Sequence, residues 1–194
     1  MKQRPWKKLL RRSAILTLAV AVGYVLYILL TDNFHTVVPR QLYRSGQMSA
    51  RSLIRAIQRH GIKTVVNLRG PAGDDWYLAE TNATALLRVQ HFDLNLSARR
   101  ELSDAEAATL IATLRSAAKP VLVHCDGGAD RSGLASALYL YDSGVPAADA
   151  SRQLTVFYGH FPHWKWAKAI AMDRTFMRYT TNHAKQVRNN LNQP

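Results

Sequence analysis

The chain holds a single cysteine, Cys125, and Arg131 stands six positions after it with Gly127, Gly128 and Gly133 around the pair. One thiol excludes an intramolecular disulfide and leaves no cysteine set for a structural zinc site, so its neighbours decide its use. They lie in PVLVHCDGGADRSGLASALYLY, Pro120 to Tyr141: an apolar strand, a glycine-rich loop and a helix in succession. A helix N-terminus presents unpaired amides and the positive end of its dipole, and glycines let those amides approach a ligand closely. Such a cradle suits a tetrahedral dianion, and it favours thiolate over thiol at Cys125. The planar fork of Arg131 can clamp two oxygens of the anion at once, and Ser132 adds a hydroxyl, unless it serves only as a helix cap. Nucleophilic chemistry on a phosphoryl centre is what these types at this spacing can do.

HCDGGADRS has the form His-Cys-x5-Arg-Ser and resembles the signature loop of the protein tyrosine phosphatase superfamily, in its compact dual-specificity-like branch. The likeness runs from about Leu42 to Tyr158 and includes LYRSGQ and VVNLRG. It implies a cysteine-phosphatase fold, no cofactor or metal, and hydrolysis in two steps. Cys125 forms a thiophosphate, which water then releases. Asp126, Gly127, Gly128, Ala129, Asp130, Arg131 and Ser132 would bind the phosphate, and His124 would tune the loop through hydrogen bonds. A general acid must protonate the leaving oxygen. Relatives with an Asp-Arg pair in the loop suggest Asp130; Asp93 and Glu101, near the superfamily's usual acid loop, are the alternatives. Arg69 at the end of NLRG is a further candidate pocket residue. If no acid is effective, the chain is a tethered phosphate-binding pseudophosphatase instead. Sulfur transfer is a rival use of a Cys-bearing anion loop, whereas arsenate reduction normally needs resolving thiols that a one-cysteine chain lacks.

The elements that must position these groups are legible by pattern. Val121–Val123 has no polar face, as a central parallel strand requires. Ser49 caps a helix to His60 that Gly61 ends; Ser103 and Glu106 form a capping box for a helix to about Ala118. Strands are expected at Gln41–Arg44 (an edge), Lys63–Leu68 and Arg88–Leu96, with Phe92, Leu94 and Leu96 on one face. Further helices are expected over Trp76–Leu87, Ser132–Tyr141, Pro146–Phe157 and Trp164–Thr180. This alternation argues an α/β domain, a central mostly parallel sheet flanked by helices, over residues 41–180, with a polar tail over 181–194.

Ahead of it, residues 13–31 carry no charge and reach about 28 Å as a helix, enough for a bilayer's hydrocarbon layer. Bulky residues end the run and no small-x-small site follows, which favours an uncleaved signal anchor over a cleaved signal peptide. Residues 32–40 read as a linker. The basic flank 1–12 supplies +6 of the net +13, while Arg40 and Arg44 alone follow the span over residues 32–50. The N-terminus is therefore expected in the cytoplasm and the domain outside, periplasmic in a bacterium. The remaining +7 favours anionic partners, but no zinc-finger spacing or basic-aromatic stripe points to nucleic acid. Asp126 and Asp130 would repel a polyanionic head group, so the expected substrate is a monophosphoester, on a protein or on a simple phospholipid. GHFPHWKWAKAIAMDR offers aromatic and basic residues for packing against the domain core, the favoured reading, or for a membrane surface. The oligomeric state is not legible.

Overall fold

The computed structural model describes residues 5–163 and 168–191. Five strands form one mixed sheet in the order β1 (His35–Val38), β2 (Leu42–Ser45), β5 (Val121–His124), β3 (Thr64–Asn67), β4 (Gln90–Asp93). Only β1 is antiparallel to its neighbour. β5 is the central strand and all four of its residues are buried, because helices cover both faces of a parallel sheet. Alternate residues feed opposite sides: Val121 and Val123 join Leu110, Leu114, Leu134, Leu138 and Met172, while Leu122 joins Leu53, Ile57 and Ala83. The first set comes from α4 (Asp104–Ser116), α5 (Arg131–Asp142) and α7 (Ile170–Leu191). The second comes from α2 (Ala50–His60) and α3 (Asp75–Leu86).

The capping signals act as the sequence implies. Ser49 Oγ accepts from the Ser52 amide and Gly61 closes α2 at φ 64°. Ser103 and Glu106 make both bonds of the capping box on α4. Four expectations change. Residues 32–40 are not a free linker: they hold β1, which pairs with β2 and takes the edge, so β2 is internal. β4 stops at Asp93, with Phe92 facing outward at 41% exposure while Leu96 is buried. The expected helix from Pro146 is a single turn, α6 (Ala147–Ala150), then 3-10 turns at Ser151–Gln153 and Val156–Tyr158. α7 runs on through residue 191, into the stretch read as a polar tail. The expected start of that last helix at Trp164, with Lys165 and Trp166, lies outside the described residues.

α1 (Pro5–Leu30) is long and apolar enough over Trp6–Leu30 to cross a membrane. Its end is fastened rather than loose. Asp32 and Asn33 take left-handed φ of 52° and 48°, the Asn33 amide returns to Ile28 O at 2.9 Å, and Asp32 O accepts from the Gly46 amide at 2.8 Å.

Candidate active site

The loop from Cys125 to Asp130 joins the carboxyl end of β5 to the N-terminus of α5, the edge where open α/β sheets bind ligands. Its carbonyls are held from behind. Asp126 O accepts from the Gln47 amide at 2.8 Å and Gly127 O from Asn33 Nδ2 at 2.9 Å. Gly128 O and Ala129 O accept from Arg44 Nη2 at 2.7 and 3.0 Å. In a trans peptide the following N–H points opposite to the C=O. The amides of Gly127, Gly128, Ala129 and Asp130 therefore turn to the loop's other side, towards the cleft. Gly128 is required at its place: φ is 71° and a Cβ would stand 2.5 Å from Gly46 N.

Arg44 is fully buried beneath the loop. Its Nη1 also donates to Gln153 O and Oε1 at 2.7 and 2.9 Å, and the guanidinium lies over the Tyr158 ring. Burial lowers its pKa to about 10, partly opposed by Cys125, Tyr158 and Asp130, so it stays charged at neutral pH. Arg44→Met is expected to destabilise the fold by about 2–4 kcal/mol, because the Gly128 and Ala129 carbonyls lose their donor in a buried place. Thermal unfolding of the variant against the parent chain measures this.

Cys125 Sγ is 3.4 Å from Ser132 Oγ and both residues are buried. Ser132 is not the helix cap: Asp130 occupies that position and makes no side-chain cap bond. Asp130 Oδ1 instead bonds His160 Nδ1 at 2.7 Å, and His160 Nε2 bonds Asp173 Oδ2 at 2.9 Å. Burial alone would lower the pKa of His160; the hydrogen bonds and charges of the two carboxylates win and raise it. Arg131 Nη1 donates to Leu68 O and Leu96 O at 3.3 and 3.2 Å. Its buried Nε has no hydrogen-bond partner among the described residues. The Arg44 Nε beneath the loop is unpartnered among them too; what distinguishes Arg131 is that it lines the cleft, where its guanidinium can meet an anion.

Behind the cysteine, His124 Nε2 bonds Glu80 Oε1 at 2.9 Å. Burial would raise the pKa of Glu80, but bonds with His124 and His91 and from Gln47 hold it at about 2. Gln47 Oε1 accepts from Arg69, which also reaches Asp126 at 3.6 Å and stacks on Trp76.

A cleft of about 800 Å3 is lined by Cys125, Asp126, Gly127, Ala129, Asp130 and Arg131, with Arg69 and Arg99 beside them. The other two acid candidates are not among its lining residues. Asp93 is taken by Tyr77 Oη at 2.6 Å and Asn67 Nδ2 at 2.7 Å, and its hydrogen bond is the main reason the Tyr77 pKa rises to about 12. Glu101 pairs with Arg178 of α7. Sequence reasoning missed Asn33, Glu80 and His160 and gave Arg44 no role in the site; LYRSGQ was the one signal for Arg44.

Residues 31–189 match the family model described as PTP-SAK, a Swiss Army Knife protein DSP-PTPase phosphatase domain. The chain is 33% identical over 109 residues to the dual specificity protein phosphatase TpbA of Pseudomonas aeruginosa, covering 55% of this chain and 45% of TpbA. It thus spans less than half the length of that curated relative. A crystal structure of TpbA superposes with TM-score 0.59 at 28% identity over 74% of this chain and 84% of that one. A TpbA complex with pTyr gives TM-score 0.57 at 26% identity, over 76% and 90%. The catalytic core of the PP-IP phosphatase SIW14 from S. cerevisiae shares the fold, with TM-score 0.60 at 16% identity over 81% and 93%.

Proposed function

Since the chain belongs to the DSP-PTPase phosphatase domain family, we propose that it is a membrane-anchored, cysteine-dependent phosphatase of phosphomonoesters. One observation carries this reading: the only cysteine thiol, four inward-turned loop amides and the guanidinium of Arg131 come together at one cleft.

The Cys125 thiolate attacks phosphorus in line, so an S–P bond forms as the ester P–O bond breaks. Charge on the equatorial oxygens is met by the loop amides and Arg131, which are already in place. Asp130 gives its proton to the leaving oxygen; His160 holds Oδ1, and Oδ2 carries the exchanging proton. The same carboxylate then takes a proton from water, water attacks phosphorus, and phosphate departs as the thiolate is restored. Ser132 Oγ stabilises the departing sulfur. Residues 13–31 anchor the enzyme, with the basic flank in the cytoplasm and the catalytic domain outside.

The test is release of phosphate by the full chain from p-nitrophenyl phosphate and from an alkyl monophosphate. Asp130→Asn is expected to lower kcat on the alkyl ester by about 10²-fold or more, and by less on p-nitrophenyl phosphate, whose leaving group needs no proton. The same loss in Asp93→Asn or Glu101→Gln instead would move the acid to that residue. Phosphate binding with no turnover of either ester would identify the tethered binding module.

A further inference from the structure

The cleft has a second wall that the phosphatase reading does not use. Tyr24, Val25, Ile28 and Leu29, from the last two turns of α1, line it together with the phosphate loop. The contact is built into the fold. Tyr24 Oη donates to Val156 O. Gly159 lies so close to α1 that a Cβ there would stand 3.4 Å from Ile28 Cδ1. Asn33, three residues past the helix, holds Gly127 O of the loop and Tyr158 O with one amide group. The end of the apolar helix and the anion cradle thus form one unit.

Depth follows from this attachment. If the uncharged residues 13–31 fill the hydrocarbon layer, Leu29 lies about 3 Å and Val25 about 9 Å inside its outer edge. The apolar wall of the cleft then lies in the outer part of the acyl-chain layer, just beneath the head groups. The neighbouring surface agrees. Val156 and Phe157 are 59% and 58% exposed, and Phe161 of the cleft wall is 40% exposed. Apolar side chains at that height suit contact with a bilayer interface. The charged lining residues are Arg69, Arg99 and Arg131 against Asp126 and Asp130, a balance that fits one phosphate group and disfavours several.

Building on the phosphatase reading, we propose that the substrate is a membrane lipid bearing a single terminal phosphomonoester, a phosphatidate-type lipid, drawn from the leaflet on which the domain rests. Its phosphate enters the cradle while its chains stay along Val25, Ile28 and Leu29. Attack by Cys125 breaks the P–O bond to glycerol, the glycerol oxygen takes the proton from Asp130, and diacylglycerol remains in the bilayer. Water then cleaves the S–P bond and inorganic phosphate leaves.

The experiment uses the full chain in lipid nanodiscs carrying dioleoyl phosphatidate, with a phosphotyrosine peptide and p-nitrophenyl phosphate as parallel substrates. Phosphate release from the lipid is expected to exceed that from the peptide at equal phosphate concentration by about 10²-fold, because substrate and site share one surface. Leu29→Asn, and separately Phe157→Ser outside the span, are expected to lose about tenfold more on the lipid than on p-nitrophenyl phosphate. Peptide turned over as well as or better than lipid overturns the lipid assignment and leaves the phosphatase reading standing, with a phosphoprotein as substrate. Equal losses on both substrates in both variants overturn the route along α1. Inertness towards all three substrates is failure of the phosphatase reading itself.

Discussion

Cys125→Ser is expected to remove turnover of every phosphomonoester, by about four orders of magnitude or more, and to leave phosphate binding nearly intact. The two halves of this result have separate causes. Binding rests on groups the substitution does not touch: the amides turned inward by Gln47, Asn33 and Arg44 and the guanidinium of Arg131. Attack rests on an anion. A thiol yields one near neutral pH, whereas a serine hydroxyl needs a base to do so. The nearest histidine in sequence, His124, has Nε2 committed to Glu80, and its Nδ1 lies 3.5 Å from the Cys125 carbonyl. His160 has both ring nitrogens on carboxylates. Ser132, 3.4 Å away, offers another hydroxyl rather than a base. Assay with p-nitrophenyl phosphate and calorimetric titration with phosphate check the two halves. Retained turnover in Cys125→Ser would mean that some other group is the nucleophile.

The part of this site that sequence exposed is the part made by local chemistry. An apolar strand, three glycines and a helix start in one run of twenty-two residues specify β5, the loop and α5, because each step is a decision between near neighbours. The caps at Ser49, Gly61 and Ser103 were readable for the same reason. What stayed hidden depends on distance along the chain. Arg44 reaches the loop across 84 positions and Asn33 across 94, and nothing near either residue says that its partner is a carbonyl of Gly128 or Gly127. Asn33 was further hidden by its setting, in a short polar segment that reads as a linker until β2 is there to pair with β1. Glu80 and His160 are buried ionisable groups made tolerable only by partners from other elements. The helix expected over Pro146–Phe157 failed for a related reason. Gln153 O, an acceptor for Arg44, lies in the segment that breaks into tight turns, so a tertiary bond takes a carbonyl that a continuing helix would use. Placing the acid was likewise out of reach locally, since Asp93, Glu101 and Asp130 differ chiefly in what surrounds them.

Arg131→Lys, which keeps the charge, is expected to cost about 10³-fold in kcat/KM and to weaken phosphate binding as well. Arg131 has two tasks at once. Its Nη1 is tied to the carbonyls of Leu68 and Leu96, one just beyond β3 and the other in the loop after β4. Its Nε, buried and without a partner among the described residues, is left for the anion. A guanidinium can do both because its donors diverge from a rigid plane. An ammonium gathers its three donors at a single point and cannot span the two carbonyls and a phosphoryl oxygen together. Lysine will therefore either sit on the carbonyls and abandon the phosphate or leave two carbonyls unsatisfied. The loss should appear in kcat as well as KM, because equatorial oxygen charge grows as the phosphoryl group transfers. A loss confined to KM would reduce Arg131 to a ground-state binding group, and near-parental kinetics would show that charge alone, rather than the fork, is what the site requires.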